Sequence, residues 1–294
     1  MIPLMIFQQL IASSTHLVAK SATTVVHPTM VVLMRGIFSA LFFASWMVFQ
    51  RSTLRPIDRE DWPRIILLGL LNIPINQLLF IWGVQYGSAP NAALAYALSP
   101  AFVVILLAVS LRSVPSRRRL IGIATAIIGT VIVVVDKGAD VSARFMLGNV
   151  MVLCASMAWA TYTVLGRRLA MKYGGFHVTA LTMLVGLLLY VPMYAIIPVP
   201  VDVAPLTTQV AGISPLATWF QLAYLGIITS GLGFGLWYMA LARLDAARLS
   251  VFNNLQPILT TLLAWAILGQ RPTAVFVVGG VIALAGVWVT QRSE

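Results

Sequence analysis

Apolar residues run along this chain in long blocks, separated by short stretches that hold proline, glycine or charge. The blocks cover residues 2–23, 28–50, 62–86, 90–111, 117–135, 146–170, 177–197, 216–241, 247–268 and 273–291. About 20 mostly apolar residues suffice to span a bilayer as a helix. Runs such as Ile121 to Val135 are apolar on every side, as a lipid-facing or buried helix requires. The period-two alternation of a membrane barrel is absent. The longest break, Pro198 to Pro215, is too short for a soluble domain. The pattern predicts an all-α polytopic membrane protein with ten transmembrane helices. The first block has no basic leading segment and carries Gln8, Gln9, Ser13, Ser14 and His16, unlike a signal peptide.

Composition agrees with the pattern. Of 294 residues, 60% are hydrophobic and 9% charged, against about 25% charged in a soluble domain. So few charges cannot cover a water-soluble globule, and so apolar a chain does not stay disordered. One cysteine excludes a disulfide framework and a thiolate zinc site.

The net charge of +11 gains meaning from its distribution. Arg51, Arg55, Arg59 and Arg64 follow the second block, and Arg112, Arg117, Arg118 and Arg119 the fourth. Arg167, Arg168 and Lys172 follow the sixth, and Arg243 and Arg248 the eighth. With Arg292 these are fourteen of the 19 basic residues, whereas the opposite loops hold Lys137, Arg144 and Arg271. The positive-inside rule then places both termini of this multi-pass protein in the cytoplasm. The charge is a topology signal with attraction to anionic lipid, not a nucleic-acid footprint.

The chain also matches itself. At a shift of 157 residues, Trp62 falls on Trp219, Gly69 on Gly226, Pro100 on Pro257, Pro115 on Pro272, Gly122 on Gly279 and Gly129 on Gly286. The earlier helices match at a different offset, Leu10-x-Ala12-Ser13 against Leu153-x-Ala155-Ser156. Two five-helix halves follow, residues 1–137 and 145–292. Because five is odd, the second half is expected to enter the membrane from the opposite side, as in carriers that alternate access around a midplane site.

On these residues the chain resembles the EamA-type members of the drug/metabolite transporter superfamily. The match rests on Leu98-Ser99-Pro100 answered by Leu255-Gln256-Pro257, on Pro28 to Arg35 opening the second helix, and on a glycine-rich last helix in each half. The resemblance implies a carrier close to bacterial aromatic and neutral amino-acid exporters. His16 stands where that family often has a tryptophan.

The side chains narrow the chemistry. None of Asp58, Glu60, Asp61, Asp136, Asp140, Asp202, Asp245 and Glu294 lies well inside a helix. A proton-driven carrier commonly uses an intramembrane carboxylate, so movement down the substrate gradient is expected, with His16 as the one buried relay on offer. No paired carboxylate, metal motif, nucleophile elbow or P-loop points to an enzyme, a metal or a cofactor. Cys154 is read as packing.

Gln9, Ser13, His16 and Lys20 form one polar stripe, and Ser13 and His16 pair by the repeat with Ser156 and Trp159. Tyr96 and Ser99 precede Pro100; Asn253 and Gln256 precede Pro257. Proline removes a backbone bond and kinks a helix, which makes Pro100 and Pro257 candidate hinges. The expected substrate site is Ser13, His16, Lys20, Asn76, Tyr96, Ser99, Trp159, Tyr238, Asn253 and Gln256. Aromatic rings would stack an apolar side chain, and amides and hydroxyls would hold a zwitterion. Gly231 and Gly235 are read as a close helix contact. Arg35 is read as a structural cation that caps carbonyls or reaches lipid phosphate. The expected function is export of amino acids or similar small metabolites by a monomer. A multidrug or cation exporter and a non-transporting scaffold remain alternatives.

Overall fold

The computed structural model describes residues 1–52, 54–110, 116–136, 142–197, 204–269 and 271–291. Pro115, the basic residues Arg112, Lys137 and Arg292, and the acids Asp140, Asp202 and Glu294 lie outside the described residues. Most of the described residues are helical: α1 (Ile2–Ala22), α2 (Pro28–Gln50), α3 (Arg59–Tyr86), α4 (Ala89–Ser110), α5 (Arg117–Asp136), α6 (Ala143–Tyr173), α7 (Gly175–Ile196), α8 (Pro215–Leu241), α9 (246–268) and α10 (Ala274–Gln291), with a further single-turn helix, Ala204–Thr207, between α7 and α8. Extended structure among the described residues is limited to one bridge, Val210 with Ile213.

The starts are written locally. Proline sits in the first turn of α1, α2, α4 and α8, where its missing N–H costs nothing. Side chains of His27, Ser88, Ser142, Ser214 and Asp245 accept a first-turn N–H at the starts of α2, α4, α6, α8 and α9. Gly174, at φ 91°, is the whole connection between α6 and α7, a backbone conformation that favours glycine.

Seven of these helices, α1–α4 and α6–α8, are long and apolar enough to cross a membrane. Shorter apolar stretches are Leu120–Gly129 in α5 and Ala274–Gly286 in α10. In α9 the helix is divided into Ala246–Ser250, a 3₁₀ turn Val251–Asn254 and Leu255–Leu268. Bulky apolar side chains such as Phe49, Leu188, Ile196 and Phe220 are exposed on the outside, as a bilayer permits and water does not. The chain is a multi-pass membrane protein.

Packing repeats at the offsets found in the sequence. A side-chain carbon added at Gly129 in α5 would meet the backbone of Gly279 and Ala283 in α10. One added at Gly286 in α10 would meet the backbone of Gly122 and Ala126 in α5. Likewise Gly69 lies against α7 at Thr182 and Gly186, and Gly226 against α2 at Arg35 and Phe38. Close approach of backbones through small residues is how helices associate where burial of apolar surface supplies no drive. Gly231 and Gly235 pack under the rings of Phe42 and Phe176.

Two interruptions flank the centre. α4 breaks at Leu98, just before Ser99-Pro100, and α9 has its 3₁₀ turn before Leu255-Gln256-Pro257. α3 and α8 each contain a π-helical stretch, Leu71–Gln77 around Pro74 and Tyr224–Gly233. Their positions overlap when shifted by 157 residues. Nothing in the apolar pattern signals them.

Candidate substrate cavity

The helix breaks and wide turns surround a narrow cavity of about 50 Å³. α1 supplies Gln8, Thr15 and His16, and α2 supplies Arg35. Asn76 and Phe80 come from α3, Tyr96 from α4 and Trp159 from α6. Thr229 and Phe234 of α8 and Asn253 and Gln256 of α9 complete the polar and aromatic wall. Ligand sites usually measure about 300–1,000 Å³, so the cavity in this conformation is too small for an amino acid.

A chain of amides crosses from one wall to the other. His16 Nε2 lies 3.0 Å from Gln256 Oε1. That oxygen can only accept, so Nε2 carries the proton and the partnerless Nδ1 keeps its lone pair. Gln256 Nε2 donates to Asn253 Oδ1 at 3.2 Å, which also accepts from Gln9 Nε2 at 3.3 Å. Gln9 Nε2 also donates to Gln8 Oε1 at 2.8 Å. Opposite, Asn76 Nδ2 donates to the Tyr96 hydroxyl and to the Ala155 carbonyl, both at 2.7 Å. Buried amides so connected hold a fixed shape.

The aromatic side is continuous with this network. His16 meets Phe80 and Tyr96 edge-on at 5.2 and 5.8 Å between centroids. Trp159 packs on Phe234 at 4.7 Å and on Trp237 at 5.4 Å. The Trp237 indole in turn donates to Thr163 Oγ1 at 3.2 Å.

The structure brings His16, Asn76, Tyr96, Trp159, Asn253 and Gln256 together at the cavity. The other expected residues stand one layer back. The Ser13 carbonyl accepts from Thr260 at 3.3 Å, and Ser99 bonds Ser156 at 2.9 Å. The Tyr238 hydroxyl donates to the Tyr162 carbonyl at 2.7 Å and packs on Gly166. Lys20 reaches the end of α3, donating to the carbonyls of Val84, Gln85 and Gly87 at 3.1, 2.8 and 2.8 Å. A cation is favoured there because a helix C-terminus leaves carbonyls unpaired. Cys154, read as packing, lies exposed on the outer face.

Arg35 is the main departure from the sequence reading. It neither caps carbonyls nor reaches lipid among its described contacts. Its side chain is 2% exposed, lines the cavity, and donates from Nε to Ser230 Oγ at 2.6 Å. Its guanidinium carbon lies 5.8 Å from the centre of the Phe234 ring. The signal was available: an ionisable residue inside a membrane helix faces the bundle interior by default.

The EamA-like transporter family matches residues 1–135 and again residues 146–292. The chain belongs to this family. Its relatives carry transporter names. A transporter of unassigned substrate from Archaeoglobus fulgidus is 25% identical over 99% of this chain and 97% of its own. A probable terminal-alkyne amino-acid exporter from Streptantibioticus cattleyicolor is 31% identical over 81% of this chain and 75% of its own. A probable amino-acid metabolite efflux pump from Salmonella typhimurium is 25% identical over 79% and 78%. Among solved structures, one crystal structure of a protein superimposes with a TM-score of 0.69 at 20% identity, covering 97% of this chain and 94% of that one. That likeness concerns the fold. Family and relatives make this EamA member a membrane transporter.

Proposed function

We propose that this EamA transporter exports amino acids or similar small metabolites across the bacterial inner membrane, down their gradient. The carrying observation is the cavity itself, whose walls come from both family-matched segments and pair buried amides with packed aromatic rings. His16, Asn76, Tyr96, Trp159, Asn253 and Gln256 contact the substrate; Ser13, Ser99 and Tyr238 hold those residues in place, and Lys20 secures the end of α3. The names of the Streptantibioticus and Salmonella relatives support the amino-acid class.

Ten spans in two inverted halves alternate access around this cavity, with Pro100 and Pro257 as hinges. The repeated packing of Gly129 and Gly286 supports that symmetry. Both termini are cytoplasmic. Arg64, Ser110, Arg167, Arg168, Lys172 and Asp245 line one crevice, so the start of α3, the ends of α4 and α6 and the start of α9 share one basic face, which supports the charge-based orientation. Among the described residues no carboxylate lines the cavity, which counts against the reading as a cation exporter.

Counterflow in proteoliposomes tests the proposal. Vesicles loaded with unlabelled phenylalanine and leucine should accumulate the radiolabelled forms, and an uncoupler should leave that uptake intact. Absence of counterflow for both, or its loss on adding the uncoupler, overturns the reading.

A further inference from the structure

The cavity holds a charge that the fold leaves unanswered. Among the described residues that line it, Arg35 is the one permanently charged side chain. Nε is committed to Ser230 Oγ at 2.6 Å, but Nη1 is buried without a hydrogen-bond partner. Among the described residues no carboxylate pairs with it; the ion pairs found there join Lys172 to Asp58 and Asp61, and Arg248 to Asp245. A buried cation without a counter-charge is costly, and a guanidinium is built to bind a planar oxyanion through two parallel N–H groups.

We propose that Arg35 is the anchor for the substrate's carboxylate and restricts the carrier to solutes bearing a single negative group beside an apolar one. One fixed positive charge pairs with one carboxylate group. The neighbouring surface sets the rest of the solute: Phe234 lies under the guanidinium and Trp159 stacks on Phe234 at 4.7 Å. An apolar or aromatic side chain therefore sits within a few bonds of the carboxylate. The inference rests on the transport reading for its physiological meaning and names the substrate class within it. Its test is a binding measurement that needs no transport.

The probes are 3-phenylpropionate, its amide 3-phenylpropanamide and the dianion phenyl phosphate, each titrated into the full-length purified protein while tryptophan fluorescence is followed. The carboxylate should bind at least ten-fold tighter than the amide and tighter than the phosphate. Arg35→Gln should bring acid and amide within two-fold, and Arg35→Lys should keep part of the preference, because it retains charge and loses the fork. Equal response of the unaltered protein to acid and amide, including no response to either, overturns the assignment whether or not the variants fold. Tighter binding of the phosphate overturns the carboxylate class. Retention of the ten-fold preference in Arg35→Gln removes Arg35 as its source. Counterflow on the same preparation separates the two readings. Acid-selective binding without flux retires the transport reading and leaves the anchor. Flux without acid selectivity does the reverse.

Discussion

Gly129 packs on Gly279 and Ala283, and Gly286 packs on Gly122 and Ala126, each pair displaced by 157 residues. At the cavity the correspondence ends. His16 in α1 has Trp159 in α6 as its counterpart, Tyr96 has Asn253, and Ser99 has Gln256. At Arg35's level the second segment packs Thr182, which donates to its own helix carbonyl at 3.1 Å. The same division appears at the membrane surface. Lys172 bonds Asp58 and Asp61 at the start of α3, whereas the position matching Asp61 is Thr218, which bonds Ser214 in its own helix. The two segments keep the small residues and prolines that fix backbone approach, and differ in the side chains that line the cavity. Symmetry here is a property of how the helices pack against one another, and asymmetry a property of the side chains around the cavity.

The comparison breaks most easily at the seam between α5 and α10. Gly129→Leu and Gly286→Leu should each cost about 3 kcal/mol or more by overpacking, and by similar amounts, read from unfolding midpoints of the purified protein. A large loss in one and none in the other would mean that the seam is not shared evenly. Next come the prolines. Pro100→Ala and Pro257→Ala should straighten their helices and shift access several-fold in opposite directions, with the double variant recovering balance. Labelling of a cysteine placed at Ser99 or Gln256 from each side measures this, and shifts in the same direction would sink the hinge assignment.

Finer still is the hydrogen-bond pairing. Double-mutant cycles on His16 with Gln256 and on Ser99 with Ser156 should each give a coupling of about 1 kcal/mol, since each bond ties the first helix of one segment to the fourth of the other. The smallest effect belongs to the ion pair between Lys172 and Asp58, which ties one segment to the other. The Lys172 ammonium holds the Asp58 carboxyl below its ordinary value of 3.8. Its stabilising contribution is therefore complete above that value and is lost as pH falls through the lowered one. Asp58 is exposed, so the loss should be slight. Lys172→Met should flatten that acid limb and leave the midpoint at neutral pH nearly unchanged.

Helix positions were legible to within a few residues: the blocks 28–50, 62–86 and 216–241 became Pro28–Gln50, Arg59–Tyr86 and Pro215–Leu241. An apolar run states its own length, and Pro28 or Ser214 marks where it starts. Site residues were legible as faces but not as destinations. The stripe of Gln9, Ser13, His16 and Lys20 was real, yet Gln9 meets Asn253, Ser13 lies under Thr260, and Lys20 seals α3. A polar stripe in a membrane helix turns inward, and most of the interior is another helix. Arg35 was underestimated because its partners, Ser230 and Phe234, lie about 195 residues or more away in sequence. The widened turns of α3 and α8 were invisible, since hydropathy reads which residues are apolar and not how tightly the backbone winds.

Those widened turns carry a mechanical consequence. A π-type turn holds one residue more than an α-turn in the same hydrogen-bonded loop. Passing that surplus along the helix would rotate the intervening stretch by about 100° and slide it by about 1.5 Å, exchanging backbone bonds one for one. Asn76 sits within the wide turn of α3 and Thr229 within that of α8, both on the cavity wall. As the proposed hinges bend α4 and α9, these two wide turns would let α3 and α8 change which side chain faces the cavity.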